Sequence, residues 1–307
     1  MPANRKPVVV VVGVFDGVHR GHLGLIEQAR SIAQARDAIL LVASFDPHPA
    51  AVLRADDFLG LLTLPSYRAK LLKNAGADIV EFLEFDNEMR RLTPDEFVDE
   101  ILVNQFLADV VVVGSNFRFG NKAAGDVSVL QSLATKFGFE VEVVALKGEE
   151  QVWSSTLVRR NLIEGNVGGA RNLLGRPHRL TGEVIYGDQR GRELGFPTAN
   201  LSVAPGLLIP ADGVYSGLMT TNDEVLPAAI SIGTNPTFAE ITTRRVEAYA
   251  LDRTDLKLYG QQVDLDFLEL IRPMQAFSGV PELILAMNSD VLLAKAQISD
   301  FLEGIGH

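Results

Sequence analysis

The stretch "GVFDGVHRGH" at residues 13–22 combines two residue types that can do chemistry, histidine and glycine. His19 and His22 are three residues apart, so on a helix both imidazoles lie on the same side. Three glycines surround them: Gly13, Gly17 and Gly21. Three interpretations fit this arrangement: a tight turn with incidental histidines, a metal site, or a phosphate site.

The phosphate interpretation explains most of this stretch. The chain has no cysteine and no His-Glu-x-x-His pattern, so a metal site has little support. Glycines let the backbone approach a phosphate closely, and the following helix directs its positive N-terminus at the same place. Two imidazoles add donors for an anion whose charge grows during reaction. We therefore expect an anion site in which neither histidine needs to act as a base.

A second stretch whose residues could take part in chemistry is "GDQRGRELGFPTAN" at residues 187–200. Its first part is a glycine-punctuated loop with two arginines, which suits the wrapping of a polyphosphate. Pro197 then predicts a turn that presents Thr198 and Asn200 on one side. Both are neutral oxygen donors, and Mg²⁺ bound to a nucleotide needs only one or two protein ligands. The alternative for these residues is a purely structural turn.

The elements that would position the first motif form an alternating pattern. Val8–Val12 is uniformly apolar, as in a strand buried on both faces of a parallel sheet. Apolar residues then recur at helical spacing, and Thr93 with Pro94 is a helix-start signal. Further strands are expected at Ala38–Phe45, Asp78–Phe85, 108–114 and Glu140–Ala145. Repeated β–α–β units predict a doubly wound parallel sheet, a Rossmann-like α/β domain, with ligands at the carboxyl ends of the strands.

The pattern changes from about Arg179. Short, partly alternating segments separated by Gly, Pro, Asn and Asp predict an antiparallel β-barrel, and Pro281–Phe301 predicts a long closing helix. Short helices are expected over Thr156–Gly175, and Gly175 with Pro177 marks a boundary. We therefore expect two domains, residues 1–177 and 178–307.

Composition narrows the class of protein. A length of 307 residues, 47% hydrophobic and 22% charged, is typical of two globular domains. The net charge of −11 disfavours sequence-independent binding to nucleic acid, which needs clustered Lys and Arg. The five-valine run is too short for a signal peptide or a membrane span. These features predict a cytoplasmic protein without a nucleic-acid or membrane partner.

The first motif resembles a known family. A strand followed by a His-x-Gly-His signature is typical of the nucleotidyltransferases related to class I aminoacyl-tRNA synthetases. The fuller "GVFDGVHRGH" resembles the FMN adenylyltransferase module of bacterial bifunctional riboflavin kinase/FAD synthetases, and "FDPHP", "GSNFRFG" and "WSSTLVR" follow in the expected order. The resemblance implies that His19 and His22 are catalytic. It implies nucleotide or phosphate contacts at Gly13, Phe15, Asp16, Gly17, Gly21, His48, Asn116, Ser155, Thr156 and Arg159.

The second half resembles the riboflavin kinases. "FPTAN", "SIGTNPTF", "RVEAYALD" and "LYG" are similar to that family's signatures. The resemblance implies that Thr198 and Asn200 ligate Mg²⁺ and that Glu247 is the general base, although its residue pattern alone indicates an outward-facing strand glutamate. It also implies phosphate contacts at Gly187, Arg190 and Gly191. Arg253 and Thr254 depart from the pattern, since an aromatic residue is more usual there.

Together the resemblances imply a bifunctional enzyme of flavin cofactor biosynthesis. The barrel would phosphorylate riboflavin with Mg-ATP to give FMN and ADP, and the N-terminal domain would transfer AMP from ATP to FMN, giving FAD and pyrophosphate. One alternative is a nucleotidyltransferase for another phosphate ester with a regulatory flavin-binding barrel. Another is a nucleotide-sensing or RNA-binding protein without turnover.

Overall fold

The computed structural model describes residues 5–145, 153–187, 195–222, 224–234 and 244–305. The chain divides into two compact units, residues 1–155 and 156–307. In the described ranges, no helix is long and apolar enough to cross a membrane.

The first unit is built on a five-stranded parallel sheet with the order β3-β2-β1-β4-β5. Its strands are β1 Val8–Val12, β2 Ile39–Phe45, β3 Ile79–Leu83, β4 Val110–Gly114 and β5 Glu140–Val144. Its helices are α1 Arg20–Ala35, α2 Pro49–Leu53, α3 Pro65–Asn74, α4 Pro94–Phe97 and α5 Val127–Phe137. Because β1 lies at the centre, where the strand order reverses, its carboxyl end is the expected ligand crevice.

Both faces of the sheet are buried. Val9 and Val11 pack in one hydrophobic core with Ile26 and Ala29 of α1. The alternate valines pack in a second core on the opposite face, with Leu102 and Leu130 among its members. This burial explains why β1 is continuously apolar rather than alternating.

The second unit is a closed six-stranded antiparallel barrel with the order β10-β7-β6-β11-β8-β9. Its strands are β6 His178–Ile185, β7 Ala199–Val203, β8 Gly213–Thr220, β9 Val225–Thr234, β10 Arg244–Ala250 and β11 Gln262–Pro273. Its helices are α6 Ser155–Ile163, whose first residue belongs to the first unit, α7 Val167–Leu174 and α8 Val280–Ile305. Ala294 and Ile298 of α8 pack with Leu268 of β11 and Leu251.

The predicted fold class is confirmed for both parts, but three local expectations differ from the structure. The turn expected at "PTAN" leads directly into β7, so Asn200 lies on a strand. The helix capped by Thr93 continues from α4 as a π-helix over Val98–Gln105. The short helix α2 follows "DPHP" and was not expected.

Candidate active sites

The loop after β1 has an unusual backbone. Phe15, Gly17 and Val18 have φ values of +49°, +83° and +40°. This left-handed region suits glycine but strains a β-branched residue such as valine. Phe15 and Val18 are nevertheless fully buried, so the surrounding core holds the loop in this shape. A strained, buried loop at a strand end is typical of a functional site.

The two histidines of the motif are in contact. His19 is the N-cap of α1, and its Nδ1 accepts a hydrogen bond from the backbone N–H of His22 at 3.3 Å. The two imidazoles are stacked, with centroids 3.6 Å apart. Because Nδ1 of His19 is an acceptor, the proton of the neutral ring lies on Nε2. The arrangement supplies imidazole N–H groups beside a helix N-terminus, which suits an anion.

His22 carries no charge at neutral pH. Burial, the neighbouring His19 and the Arg68 guanidinium hold its pKa well below the ordinary 6.5. Its Nδ1 is buried and has no hydrogen-bond partner among the described residues. Any stabilisation of an anion by His22 therefore comes from an N–H dipole rather than from a formal positive charge.

The carboxylate of Asp16 is fully buried and bonds to the chain itself. It accepts hydrogen bonds from the backbone N–H groups of Leu62 and Thr63 and from the Thr63 hydroxyl, at 2.9 to 3.1 Å. The Thr63 hydroxyl also accepts the N–H of Gly17 at 3.1 Å. These contacts fix the strained turn, so the Asp16 side chain has a structural task in this loop.

Gly13, and to a lesser degree Gly21, leave room for the chain's own aromatic rings. A Cβ at Gly13 would lie 2.8 Å from the Phe15 ring, and one at Gly21 would lie 3.2 Å from the His19 ring. From the sequence, these glycines were expected to allow close approach of a phosphate. The structure adds a second reason, namely the packing of the two rings that shape the motif.

The loops after β2 and β4 lie near the same edge of the sheet. His48 is the N-cap of α2, and its Nδ1 accepts the N–H of Ala50 at 3.0 Å. Asn116 is exposed and lines a cavity of about 720 Å³, together with Gly13. Aromatic rings and cations form much of its wall: Phe45, Phe85, Phe97, Phe117, Phe119, Arg90, Arg118 and Lys122. Such a wall suits a flat ring system that carries an anionic group.

Ser155 connects the "WSSTLVR" segment to the first motif. Its hydroxyl donates to the Asp16 carbonyl at 2.7 Å. Thr156 and Arg159 follow in α6, which belongs from Thr156 onwards to the second unit. Thr156 is exposed, whereas Arg159 is buried.

In the barrel, strand register brings the predicted kinase residues together. Glu247 of β10 lies opposite Asn200 of β7 on one side and Ser231 of β9 on the other. The Thr198 hydroxyl donates to Glu247 Oε2 at 3.2 Å. Val246 and Ala248 are buried in the barrel, so the half-buried Glu247 lies on its outer surface. Opposed residues of an antiparallel pair have Cβ atoms about 5 Å apart, so Asn200 and Glu247 are direct neighbours.

Gly187 begins the loop that was predicted to wrap a polyphosphate. A Cβ there would collide with the side-chain amide of Asn200. The glycine therefore allows Asn200 to occupy this position. Arg190 and Gly191, the other two predicted phosphate contacts, lie outside the described residues, as do residues 235–238 of "SIGTNPTF".

Two cavities meet at Thr198. One, of about 360 Å³, is lined by Gly195, Thr198, Arg253 and Tyr259 among others. The other, of about 170 Å³, is lined by Thr198, Glu247 and a mainly apolar wall. Arg253 and Thr254, which depart from the family pattern, thus line the larger of these two cavities.

The smaller cavity includes residues that the sequence analysis did not predict. Arg272 of β11 pairs with Asp290 of α8 at 2.7 Å, and both line this cavity with Phe277 and Met287. In the sequence, Met287, Asp290 and Val291 share one face of the closing helix, with an acid in an otherwise apolar stripe. Asp290 was the sequence signal for this cavity, because a buried acidic residue in an apolar stripe implies a charged partner.

No group of three or more His, Asp or Glu residues that could hold a metal ion occurs in the described parts of the chain. The barrel donors are of a different kind: a hydroxyl, an amide and one carboxylate. This set fits a magnesium–nucleotide complex, in which phosphates supply most of the charge.

Known proteins resemble this chain over most of its length. Two family models match in succession, FAD synthetase over residues 1–157 and riboflavin kinase over residues 174–298. A Listeria monocytogenes protein named bifunctional riboflavin kinase/FMN adenylyltransferase is 36% identical, over 92% of this chain and 90% of its own length. Proteins of the same name from Escherichia coli K12 and Bacillus subtilis are 33% and 31% identical. They match over 95% and 92% of this chain, and over 93% and 90% of their own lengths.

A similar crystal structure is described as a macrolide-efflux protein from Streptococcus pneumoniae. It superposes with a TM-score of 0.86 at 30% sequence identity, over 95% of both chains. That description concerns the streptococcal protein, whereas the two family models match this sequence itself.

A parallel nucleotide-binding sheet followed by a barrel with its own cavity pair defines a two-site nucleotide-dependent transferase. The chain belongs to the bifunctional riboflavin kinase/FMN adenylyltransferase family. Membership confirms the predicted enzyme class: riboflavin is phosphorylated to FMN, and FMN is adenylylated to FAD, with ATP as co-substrate. The two alternatives raised from the sequence were a nucleotidyltransferase for another phosphate ester and a protein that binds nucleotide or RNA without turnover. Family membership makes both unnecessary.

Proposed function

We propose that the barrel phosphorylates riboflavin by direct transfer from ATP, with Glu247 as the general base. The hydrogen bond between Thr198 and Glu247 at 3.2 Å carries this proposal, because it joins the predicted metal ligand to the predicted base. The riboflavin 5′-hydroxyl oxygen attacks the γ-phosphorus, and the bond from that phosphorus to the β,γ-bridging oxygen breaks. Glu247 takes the hydroxyl proton, and FMN and ADP are formed.

The two barrel cavities have separate occupants in this mechanism. The larger one takes ATP, because Gly195 of the phosphate loop lines it. The smaller one takes the flavin, because its wall is largely apolar and contains Glu247. Thr198 lines both, so the γ-phosphate and the 5′-hydroxyl meet beside it. Phosphate contacts by Gly187, Arg190 and Gly191 belong to the same proposal.

Thr198 and Asn200 would hold Mg²⁺. The space over Gly187 lets the Asn200 amide occupy this position, and the Thr198 hydroxyl lies beside the Glu247 carboxylate. When bound, the ion would neutralise phosphate charge during transfer. The chain's own contribution is to orient two neutral oxygens and to keep the base within reach of the hydroxyl.

In the first unit, the FMN phosphate attacks the α-phosphorus of ATP without a covalent enzyme intermediate. The bond between the α-phosphorus and the α,β-bridging oxygen breaks, and pyrophosphate leaves. His19 and His22 donate N–H groups to the phosphates as charge develops there. Gly13, Phe15, Asp16, Gly17 and Gly21 shape the cradle, while Ser155, Thr156 and Arg159 hold the triphosphate tail. The aromatic 720 Å³ cavity takes the flavin ring near Asn116 and Pro49, and His48, the residue before Pro49, is a further contact in this proposal.

The division of activities at residues 177 and 178 and a cytoplasmic location remain proposals. The first is supported by the start of β6 at His178, the first strand of the barrel. The second is supported by the absence of cysteine, which fits a reducing compartment.

These roles can be tested by measuring both activities in the full-length chain. Starting from riboflavin and Mg-ATP, the sum of FMN and FAD measures the kinase; starting from FMN, FAD measures the transferase. Glu247→Gln should lower the first rate by about 10²- to 10⁴-fold, the usual contribution of a general base, and leave the second unchanged. Glu183→Gln is the matched control, since Glu183 is an exposed glutamate of β6. An unchanged sum in Glu247→Gln would remove Glu247 from the mechanism.

A further inference from the structure

A fully buried arginine lies beneath the transferase motif. Arg68 of α3 has no exposed surface, although arginine is rarely buried completely. Its guanidinium carbon lies 5.2 Å from the centre of the Phe82 ring. A buried guanidinium must have a specific set of partners to offset the loss of hydration.

The partners of Arg68 come from two different strand ends. Its Nη1 donates to the Val14 carbonyl at 2.9 Å, to the Ser44 hydroxyl at 3.0 Å and to the Phe45 carbonyl at 3.2 Å. Val14 lies in the loop that leads to His19 and His22, and Phe45 begins the segment that leads to His48. One cation therefore connects the loops after β1 and β2.

The segment before Arg68 reinforces this connection. The backbone N–H groups of Leu62 and Thr63, just before α3, bind the Asp16 carboxylate. Residues 62–68 thus contact the first motif at Val14, at Asp16 and, through the Thr63 hydroxyl, at Gly17. The strained backbone of Phe15 lies between Val14 and Asp16. Strain of this kind persists only where the surroundings over-determine the conformation.

We propose that Arg68 is a positioning residue for adenylyl transfer, which holds the loop after β1 so that His19 and His22 meet the triphosphate in a productive geometry. The proposal rests on the transferase site proposed above. Its physical basis is that a displacement of about 1 Å can lower turnover about 10²-fold. Arginine suits the task better than lysine because its planar, delocalised cation keeps a fixed donor geometry.

The charge of Arg68 has a second consequence. It is one of the causes that lower the pKa of His22, after burial and the neighbouring His19. In the part of the chain that the structure describes, His19 and Arg68 are the charged or titratable neighbours whose electrostatic effects lower this pKa. A neutral replacement of Arg68 should therefore let His22 take up a proton at higher pH than in the wild-type chain. A role confined to folding would not change that pH.

The experiment compares Arg68→Met and Arg68→Lys in the full chain with Lys70→Met, an exposed position on the same helix. The measured quantities are kcat and KM for FMN conversion to FAD as a function of pH. The kinase rate of each preparation and the thermal unfolding followed through Trp153, the single tryptophan, are measured in parallel.

The proposal expects Arg68→Met to lower transferase kcat about 30- to 100-fold, with both KM values changed less than about threefold. The acid limb of its kcat profile should move to higher pH. Arg68→Lys should recover part of the rate and keep the wild-type pH profile, because the charge remains. Lys70→Met and all kinase rates should match those of the wild-type chain.

Three results would overturn the proposal. One is full FMN-to-FAD turnover in Arg68→Met. The second is a loss that coincides with unfolding of the first unit at the assay temperature. The third is a reduced rate with an unmoved pH profile. A wild-type chain without FMN-to-FAD turnover would instead remove the underlying transferase site, so the two failures are distinguishable.

Discussion

The proposed transferase and kinase sites of this chain are built in opposite ways. The first is concentrated in one continuous loop at the end of β1, with a strained backbone and a buried support from α3. The second is assembled from β7 and β10 through their register, with side chains on the outer surface of a barrel. One site thus depends on the conformation of a loop, and the other on the pairing of strands.

The electrostatics of the two sites differ in the same way. Charged or polar side chains lie fully buried in the transferase loop, and His22 has a depressed pKa. The kinase site presents a hydroxyl, an amide and a half-buried carboxylate. Small structural changes in the loop should therefore affect protonation and turnover together, whereas changes in the barrel should affect ligand placement.

After Glu247→Gln, the largest effect that would separate the sites is expected for His22→Ala. Loss of a preorganised donor to a developing anion lowers turnover about 10²- to 10³-fold. FMN-to-FAD conversion should fall by that factor while riboflavin phosphorylation continues, so FMN accumulates when riboflavin is the starting substrate. Chromatography of the flavins measures both steps in one reaction. An undiminished FAD yield would remove His22 from the mechanism.

The next largest effect tests where the two parts divide. Helices α6 and α7 precede His178, but they contact the barrel: the Leu162 carbonyl accepts the N–H of Ala211 at 2.9 Å, and Arg171 pairs with Glu269 at 2.9 Å. A fragment of residues 178–307 should therefore be less stable than one of residues 156–307, by on the order of 3 kcal/mol from the lost apolar burial. Urea unfolding of both fragments measures the difference. Equal stability would favour the boundary at residue 178.

A smaller effect is expected for Gly187→Ala. The added Cβ must displace the Asn200 amide, which should reduce kinase turnover about tenfold through misplacement of one ligand. Higher Mg²⁺ should restore part of the rate, and FAD formation from FMN should not change. Gly195→Ala is the comparison in the same loop: its Cβ would meet open space, although its φ of +87° adds backbone strain. Equal losses in both variants would assign the effect to the loop backbone rather than to Asn200.

Features that depend on residues close together in the chain were predicted well from the sequence. Uniformly apolar runs such as Val8–Val12 indicated the buried parallel strands, and "GVFDGVHRGH" indicated a glycine-containing turn between the first of them and a helix. Thr93 and Pro94 indicated a helix start, and in the structure Thr93 forms a capping box with Glu96. These features depend on neighbours within a few residues, so a linear pattern contains the information.

Features that depend on distant segments were not predicted. β7 contains only five residues, and its alternation begins within a segment that also has turn propensity. Arg90 and Lys122 reach the flavin-sized cavity from separate turns. Arg68 resembles an ordinary helix-surface cation, and only the folded sheet shows that it is buried between two strand ends. Tertiary packing decides each of these cases.

The smallest effect concerns pH and distinguishes His22, whose pKa is lowered by burial, from the half-buried groups of the proposed kinase site. In the unfolded chain His22 titrates near the ordinary 6.5, whereas in the folded chain its pKa is lower. Below pH 6.5 the unfolded state therefore binds a proton that the folded state does not, so the first unit loses stability as pH falls. For this group the loss is about 0.7 kcal/mol between pH 7 and pH 6. The free energy of unfolding of the wild-type and His22→Leu chains is measured at pH 7 and pH 6 through Trp153 fluorescence. The contribution of His22 is the pH-dependent change in the wild-type chain minus the same change in His22→Leu. A pH dependence equal in both chains would show that His22 is protonated equally in the two states.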